Sequence, residues 1–243
     1  MMIEDILQVH NICKSYYKIP TLHDVSMHIH RGEVVGLFGP NGAGKTTCFN
    51  IIAGLVRPSK GRVCINHTNI TKLPIYLRAG LGIAYLPQES SIFVGLSVKD
   101  NIKAILQLHT NDERLIERDA NKLLEQFQIS HLALSKASNL SGGQRRRLEI
   151  ARALATQPKF CMLDEPFAGV DPVSIQDVRQ IIKYLKNANI GVLITDHNIR
   201  DTLPIVDRVY IIYEGRVLLE GDAQSIAHNP MVREVYLGNE FNY

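Results

Sequence analysis

The run Gly39-Pro40-Asn41-Gly42-Ala43-Gly44-Lys45-Thr46-Thr47 is preceded by the apolar Val34-Val35-Gly36-Leu37-Phe38 and followed by a helix-forming stretch that ends at Ala53. It fits the spacing G-x-x-x-x-G-K-[ST], in which backbone N–H groups of a glycine-rich loop wrap phosphate oxygens. Lys45 adds a full positive charge, and the Thr46 hydroxyl is placed to ligand magnesium. Context matters as much as spacing. A short apolar run reads as a strand buried on both faces of a parallel sheet, and a helix N-terminus behind the loop favours an anion. Strand, glycine loop and helix in that order predict an α/β fold with a phosphate site beside a parallel sheet.

Working outward, Lys159 onward alternates strand and helix: Phe160 to Leu163, a helical stretch carrying Ile175, Val178, Ile181, Ile182 and Leu185, then Gly191 to Thr195 and Val206 to Tyr213. This is the pattern of a parallel sheet covered by helices. Arg62 to Asn66 and Gly82 to Leu86 read as further strands. Leu22 to His30 alternates as a half-buried strand does, which puts Leu22, Asp24, Ser26, His28 and His30 on one side and His23, Val25, Met27 and Ile29 on the other. Between Ser97 and Phe127 the apolar residues fall at helical spacing instead, so a helical lobe over about residues 95–150 is expected to interrupt the sheet.

A second glycine motif, Leu140-Ser141-Gly142-Gly143-Gln144, lies inside that lobe. Ser141 and Gln144 have the spacing of a capping box, with Ser141 capping a helix and Gln144 reaching back. A plain cap needs no adjacent glycines, each of which costs a helix about 1 kcal/mol relative to Ala. Bare backbone lets a ligand come close, yet an exposed helix N-terminus offers an anion only about 0.3–1 kcal/mol. The motif must therefore complete a site built elsewhere.

The strand Phe160 to Leu163 ends in two carboxylates, Asp164 and Glu165, which are costly at a buried strand end unless used. Asp164 is placed to hold magnesium and Glu165 to polarise a water that attacks phosphate. His197 and Gln88 each follow a strand, and parallel strands bring their carboxyl ends to one edge, so both are candidates for the same crevice, Gln88 as a ligand of magnesium or water. Tyr16 is an aromatic that can stack on adenine. Arg145-Arg146-Arg147 points in three directions around a helix and is followed by Glu149, which reads as a solvated face rather than a nucleic-acid surface.

Composition sets the outer bounds. The 243 residues are 45% hydrophobic, enough for a real core, and 27 basic residues against 24 acidic ones give a charge of +3, too small to imply a nucleic-acid partner. No apolar run approaches the ~20 residues that cross a bilayer, and the opening residues lack the pattern of a secretory signal, so a soluble, non-exported chain is expected. Cys13, Cys48, Cys64 and Cys161 show no paired spacing and read as free thiols of a reducing compartment.

These elements in this order resemble the ATP-binding subunits of ABC transporters over essentially the whole chain. The resemblance implies a P-loop NTPase cassette: a RecA-like parallel-sheet core, an N-terminal antiparallel β subdomain, an inserted helical subdomain and a C-terminal tail over about residues 222–243, all in one domain. It implies ATP and Mg2+ as ligands, with Tyr16 stacking on adenine, residues 39–47 around the phosphates, and Ser141, Gly142, Gly143 and Gln144 facing the partner's nucleotide. Asp171 is implied as a further nucleotide-site residue, and Lys45, Glu165, His197 and Gln88 as the hydrolytic set, with Thr46, Gln88 and Asp164 on the metal. It also implies a head-to-tail homodimer and two integral-membrane subunits docking near Gln88 to Leu96 on the cytoplasmic face of the inner membrane.

Finer wording, Tyr85-Leu86-Pro87-Gln88-Glu89, Asp164 to Pro172, Ile194 to Asn198 and the tail Tyr236 to Phe241, is similar to the lipopolysaccharide-export branch of that family. Val94-Gly95 departs from the basic residues common at that point, which alters the expected docking contacts. A branched-chain amino-acid importer shares every catalytic motif and is the alternative. A nucleic-acid or ribosome-associated ATPase is disfavoured because the chain carries neither a second cassette nor a long coiled-coil insert, and a non-hydrolysing regulator is disfavoured by Glu165 and His197.

Overall fold

The computed structural model describes residues 5–168, 172–197 and 199–237. In chain order the strands are β1 (Ile6–Tyr16), β2 (Ile19–His30), β3 (Val34–Phe38), β4 (Lys60–Ile65), β5 (Thr68–Asn69), β6 (Ile83–Leu86), β7 (Phe160–Asp164), β8 (Gly191–Thr195), β9 (Arg208–Tyr213) and β10 (Arg216–Asp222). The helices that matter for the site are α1 (Lys45–Ala53), α2 (Ile75–Gly80), α3 (Val98–Leu106), α4 (Glu113–Gln126), α5 (Gly142–Leu154) and α6 (Pro172–Asn187).

Two sheets form. One has the order β10-β9-β3-β8-β7-β6, parallel throughout except for β10, and the other is antiparallel with the order β2-β1-β4-β5. Residues of β3 and β8 are buried on both faces, as their near-continuous apolar sequence requires. Val35 and Leu37 of β3 join one core with α1 and the antiparallel sheet, while Val34 and Phe38 join the other with α3, α4, α5 and α6. Both faces of the parallel sheet are therefore covered, and its carboxyl edge is left for chemistry.

The helical segment follows from local signals. Ser97 caps α3 by accepting from the Asp100 N–H, and Asp112 caps α4 in the same way. On α4 the residues Ile116, Ala120 and Leu124 recur every four positions and are buried against α3, while Lys99 and Lys103 of α3 pair with Glu113 and Glu117 across the exposed rim. Such rim pairs contribute little, so the apolar stripe does the holding.

Two expectations fail on local geometry. Leu22 lies on the buried side with Val25, Met27 and Ile29, because Asp24 takes a left-handed φ of 59° and the β1–β2 register shifts there, which flips the alternation. The arginine triplet is not a solvated face either. Arg146 is only 8% exposed and donates to Glu149, while Arg147 pairs with Asp177 of α6, because α5 is packed between the sheet and α6 rather than lying on the surface.

Candidate active site

The phosphate loop leaves β3 at Gly39, where φ is 149° and a Cβ would sit 2.0 Å from the Ile212 carbonyl oxygen. It enters α1 at Gly44, with φ 104° and a hypothetical Cβ 2.6 Å from Leu22. Both approaches exclude any side chain. The first turn of α1 has no side-chain cap, so its N–H groups are unclaimed by the protein's own side chains and fit a phosphate. Lys45 donates from its ammonium to the carbonyl oxygens of Gly39 at 2.6 Å and Pro40 at 2.9 Å, and burial holds its pKa below the usual lysine range while the Glu165 charge pulls it back up. Asn41, Gly42 and Thr46 are exposed, Pro40 and Thr47 half-buried and Ala43 buried, so the loop's open face is polar backbone and hydroxyl.

Three neighbouring strand ends bring the catalytic candidates together. Glu165, just past β7, adopts a left-handed φ of 45°, a conformation that costs a non-glycine residue about 1 kcal/mol or more, and its N–H donates to the Thr195 carbonyl at 2.8 Å. Gln88, beyond β6, donates from Nε2 to Glu165 Oε2 at 2.9 Å, and His197, beyond β8, places Nδ1 3.4 Å from the same oxygen. One carboxylate oxygen is thus the meeting point of an amide and an imidazole from either side.

Asp164 sits one residue earlier, beside rather than within that trio. Its carboxyl is pushed above the usual range by burial, and by the charge of Glu165, against the downward pull of the Thr195 and Tyr85 hydroxyls. Thr195 donates to Asp164 Oδ1 at 2.6 Å. A half-buried carboxylate held by hydroxyl donors fits an oxygen-seeking dication.

The remaining candidates stand apart in the single chain. Tyr16 is 39% exposed at the end of the β1–β2 hairpin, with the Lys14 ammonium 4.8 Å from its ring centroid. The same hairpin brings Thr21 and Leu22 onto Gly44, so the aromatic belongs to the strand pair that shoulders the loop. Ser141 is exposed and bonded in its capping box, accepting from the Gln144 N–H at 3.3 Å while its own N–H donates to the Gln144 side chain at 3.0 Å. Gly142 and Gly143 lie on the open first turn of α5, and Asp171 lies outside the described residues.

Sequence reasoning passed over Thr195, Tyr85 and Asp196. Thr195 and Tyr85 orient Asp164, and Asp196, 1% exposed, accepts from the Phe167 N–H at 3.2 Å, tying the β8 end to the turn after Glu165. The available signal was position: each is a polar residue on a buried strand or at its carboxyl end.

A profile of the ABC transporter family matches residues 22–168. An uncharacterised ABC transporter ATP-binding protein of Rhizobium meliloti is 54% identical over 95% of this chain and 86% of its own length. The lipopolysaccharide export system ATP-binding protein LptB of Escherichia coli is 48% identical over 97% of this chain and 98% of that protein. Among solved structures, the ADP conformation of MJ1267, an ATP-binding cassette of an ABC transporter, superposes with a TM-score of 0.87 at 31% identity, covering 97% of this chain and 99% of that one. The post-hydrolysis dimer of the cassette MJ0796 bound to ADP and Pi gives 0.77 at 26% identity, over 89% and 98%. With a family match over more than half of the chain and a fold shared with these cassettes over nearly all of it, the chain belongs to the ABC transporter family as an ATP-binding, ATP-hydrolysing subunit.

Proposed function

We propose that this chain is the motor of a lipopolysaccharide exporter, acting as a head-to-tail pair under two integral-membrane subunits on the cytoplasmic face of the inner membrane. The observation that carries the reading is the extent of the likeness to LptB: 48% identity over 98% of that protein reaches well beyond the motifs every cassette shares. The groove expected to receive the membrane subunits supports it. A cavity of about 210 Å3 is lined by Ile75, Tyr85, Ser91, Ile105, Arg152 and Thr156, and Phe93, packed on Arg152, is 45% exposed. Arg152 stacks 4.4 Å from the Phe93 ring centroid and donates to the Ser91 carbonyl at 2.6 Å. Tyr76, Leu77, Leu81, Val94 and Leu96 add exposed apolar surface suited to a short amphipathic helix. No helix among the described residues is long and apolar enough to cross a membrane, so anchoring falls to partners in this reading.

In the hydrolytic step the backbone of residues 39–47 and the Lys45 ammonium hold the β- and γ-phosphates, Lys45 exchanging its bonds to the loop carbonyls for phosphate oxygens. Bound magnesium would neutralise charge on those phosphates, held by Thr46, Gln88 and Asp164, the last directly or through a water. Glu165 orients or deprotonates the attacking water, and His197 contacts the γ-phosphate. Tyr16 stacks on adenine, while Ser141 to Gln144 close over the partner's nucleotide, aided by Asp171.

Expression in Escherichia coli depleted of its own LptB tests the cargo. Growth should be restored, and mild detergent extraction should retain the exporter's membrane subunits. An active ATPase that fails to rescue and co-purifies with amino-acid permease subunits would overturn the assignment while leaving the hydrolysis intact.

A further inference from the structure

Arg78 of α2 is the bulkiest side chain that the fold buries completely, at 1% exposed. Its guanidinium donates to four backbone carbonyls: Nη1 to Ile51 at 2.7 Å and Ile52 at 2.6 Å, Nε to Leu73 at 2.9 Å and Nη2 to Thr71 at 3.1 Å. Ile51 and Ile52 belong to the last turn of α1, the helix whose first turn carries Lys45 and Thr46. A helix end leaves its last carbonyls without an intrahelical partner. Here the N–H groups of Gly54, Leu55 and Val56 turn back to the Asn50 carbonyl, and Arg78 takes the next two. Gly54 makes room for it, with φ at 88° and a hypothetical Cβ only 2.7 Å from Arg78 Nε.

Charge sets this contact apart from an ordinary cap. Arg146 faces Glu149, and Arg208 faces Glu33 and Glu220. Among the described residues no carboxylate does the same for Arg78, and burial alone brings its pKa down to about 10, which leaves it protonated at neutral pH. A buried cation without a counter-ion is costly, and neutral N–H donors suffice to cap carbonyls. What the charge meets is the negative pole of α1, equivalent to about half an elementary charge. Covering that pole leaves the positive pole at Lys45 unopposed. The helix is also a short rod: its nine residues span about 13 Å, so a shift at the carbonyl end reaches the first turn with little bending to absorb it.

We propose that Arg78 is a positioning residue of the nucleotide site: by gripping the carbonyl end of α1 it sets where Lys45 and Thr46 meet the phosphates of ATP, and it cancels the negative pole behind them. Arg78 touches no nucleotide and acts through the helix. It can do so only if residues 39–47 hold the phosphates, as proposed for the hydrolytic step, and its role is independent of the cargo.

The test combines steady-state ATPase kinetics of the full-length chain with calorimetric titration of ADP. Arg78→Met should raise KM for ATP and the dissociation constant for ADP by about tenfold or more, while kcat at saturating ATP stays within about threefold, the pattern of lost binding rather than lost chemistry. Arg78→Lys keeps the charge but loses the planar fork, and should fall between. A lower melting temperature alone does not separate positioning from plain stability. Arg208→Met, which breaks the network with Glu33 and Glu220 instead, should also melt lower yet keep the wild-type KM. Lys45→Ala checks the loop itself: unchanged ATP affinity there would remove the phosphates from residues 39–47, and the proposal with them. With that control weakened as expected, unchanged KM in the folded Arg78 variants would overturn the role of Arg78 alone. A fall in kcat at constant KM, or an equal rise in KM from Arg208→Met, would overturn it too. Should Arg78→Met not fold, Arg78→Lys decides by the same criteria.

Discussion

Asp164 and Glu165 are adjacent and pay for function in different ways. Glu165 stores backbone strain in its left-handed conformation, whereas Asp164 carries a charge that its surroundings disfavour. A carboxyl whose folded pKa is raised above its unfolded value weakens the fold wherever it is ionised, and the penalty is relieved as pH falls through that raised value. At neutral pH the penalty is therefore present. Asp164→Asn removes the charge and keeps an acceptor for Thr195, so the metal-free protein should melt at the same temperature or higher by calorimetry, while magnesium-dependent turnover falls by about 100-fold or more. A drop in melting temperature would show that the ionised carboxylate stabilises the fold. Glu165→Gln should retain ATP binding by nucleotide titration and lose turnover by at least about 100-fold. A normal hydrolysis rate in that variant would remove Glu165 from the role of base.

The loop between β6 and α3 shows how an element without regular structure is fixed in place. Asn101, fully buried on α3, accepts from the Phe93 N–H at 2.8 Å and donates from Nδ2 to the carbonyls of Phe93 and Ser97, each at 3.0 Å. Replacing it with Ala strips the Phe93 N–H of its partner, at a cost of about 1–3 kcal/mol where that group finds no water, and removes one of two bonds from each carbonyl, which keep the backbone N–H groups of Leu96 and Asn101. Asn101→Ala should therefore lower the urea midpoint measurably and weaken retention of membrane subunits more than it slows basal hydrolysis. Equal losses in both would mean that the loop serves the catalytic site rather than docking. This anchor was not legible in the sequence, where an Asn at helical spacing looks like any polar face residue. The phosphate loop and the α5 cap were legible, because their chemistry is local: glycine at φ values no other residue tolerates, and a Ser and a Gln three residues apart. The strand β1 was missed because bulges after Val9 and Ile12, with Asn11 at φ 50°, break its alternation, and the burial of Arg146 was missed because it depends on what packs over α5. Long-range packing overrides local pattern in both cases.

The single chain separates what hydrolysis must unite. Residues 39–47, Gln88, Glu165 and His197 gather along the carboxyl edge of one sheet, while Ser141 stands exposed at the tip of α5, bonded only into its own cap among the contacts described above. A helix N-terminus worth about 0.3–1 kcal/mol to an anion cannot bind a nucleotide unaided, and the proposed pairing sets it on a second molecule's phosphates. In a head-to-tail pair every site takes its phosphate loop from one copy and its Leu140 to Gln144 motif from the other. That geometry makes an asymmetric prediction. Lys45→Ala and Ser141→Arg should each inactivate a homodimer, since both of its sites carry the lesion. A mixed dimer of the two variants concentrates both lesions in one site and leaves the other wild type. Co-expressed with distinct tags and purified through both, the heterodimer should recover turnover toward half that of the wild type when the sites fire independently, and a smaller but measurable fraction when they are coupled. Complete inactivity of a folded, ATP-binding heterodimer would sink the shared-site arrangement, because a site built within one chain would lose both copies to their own mutation.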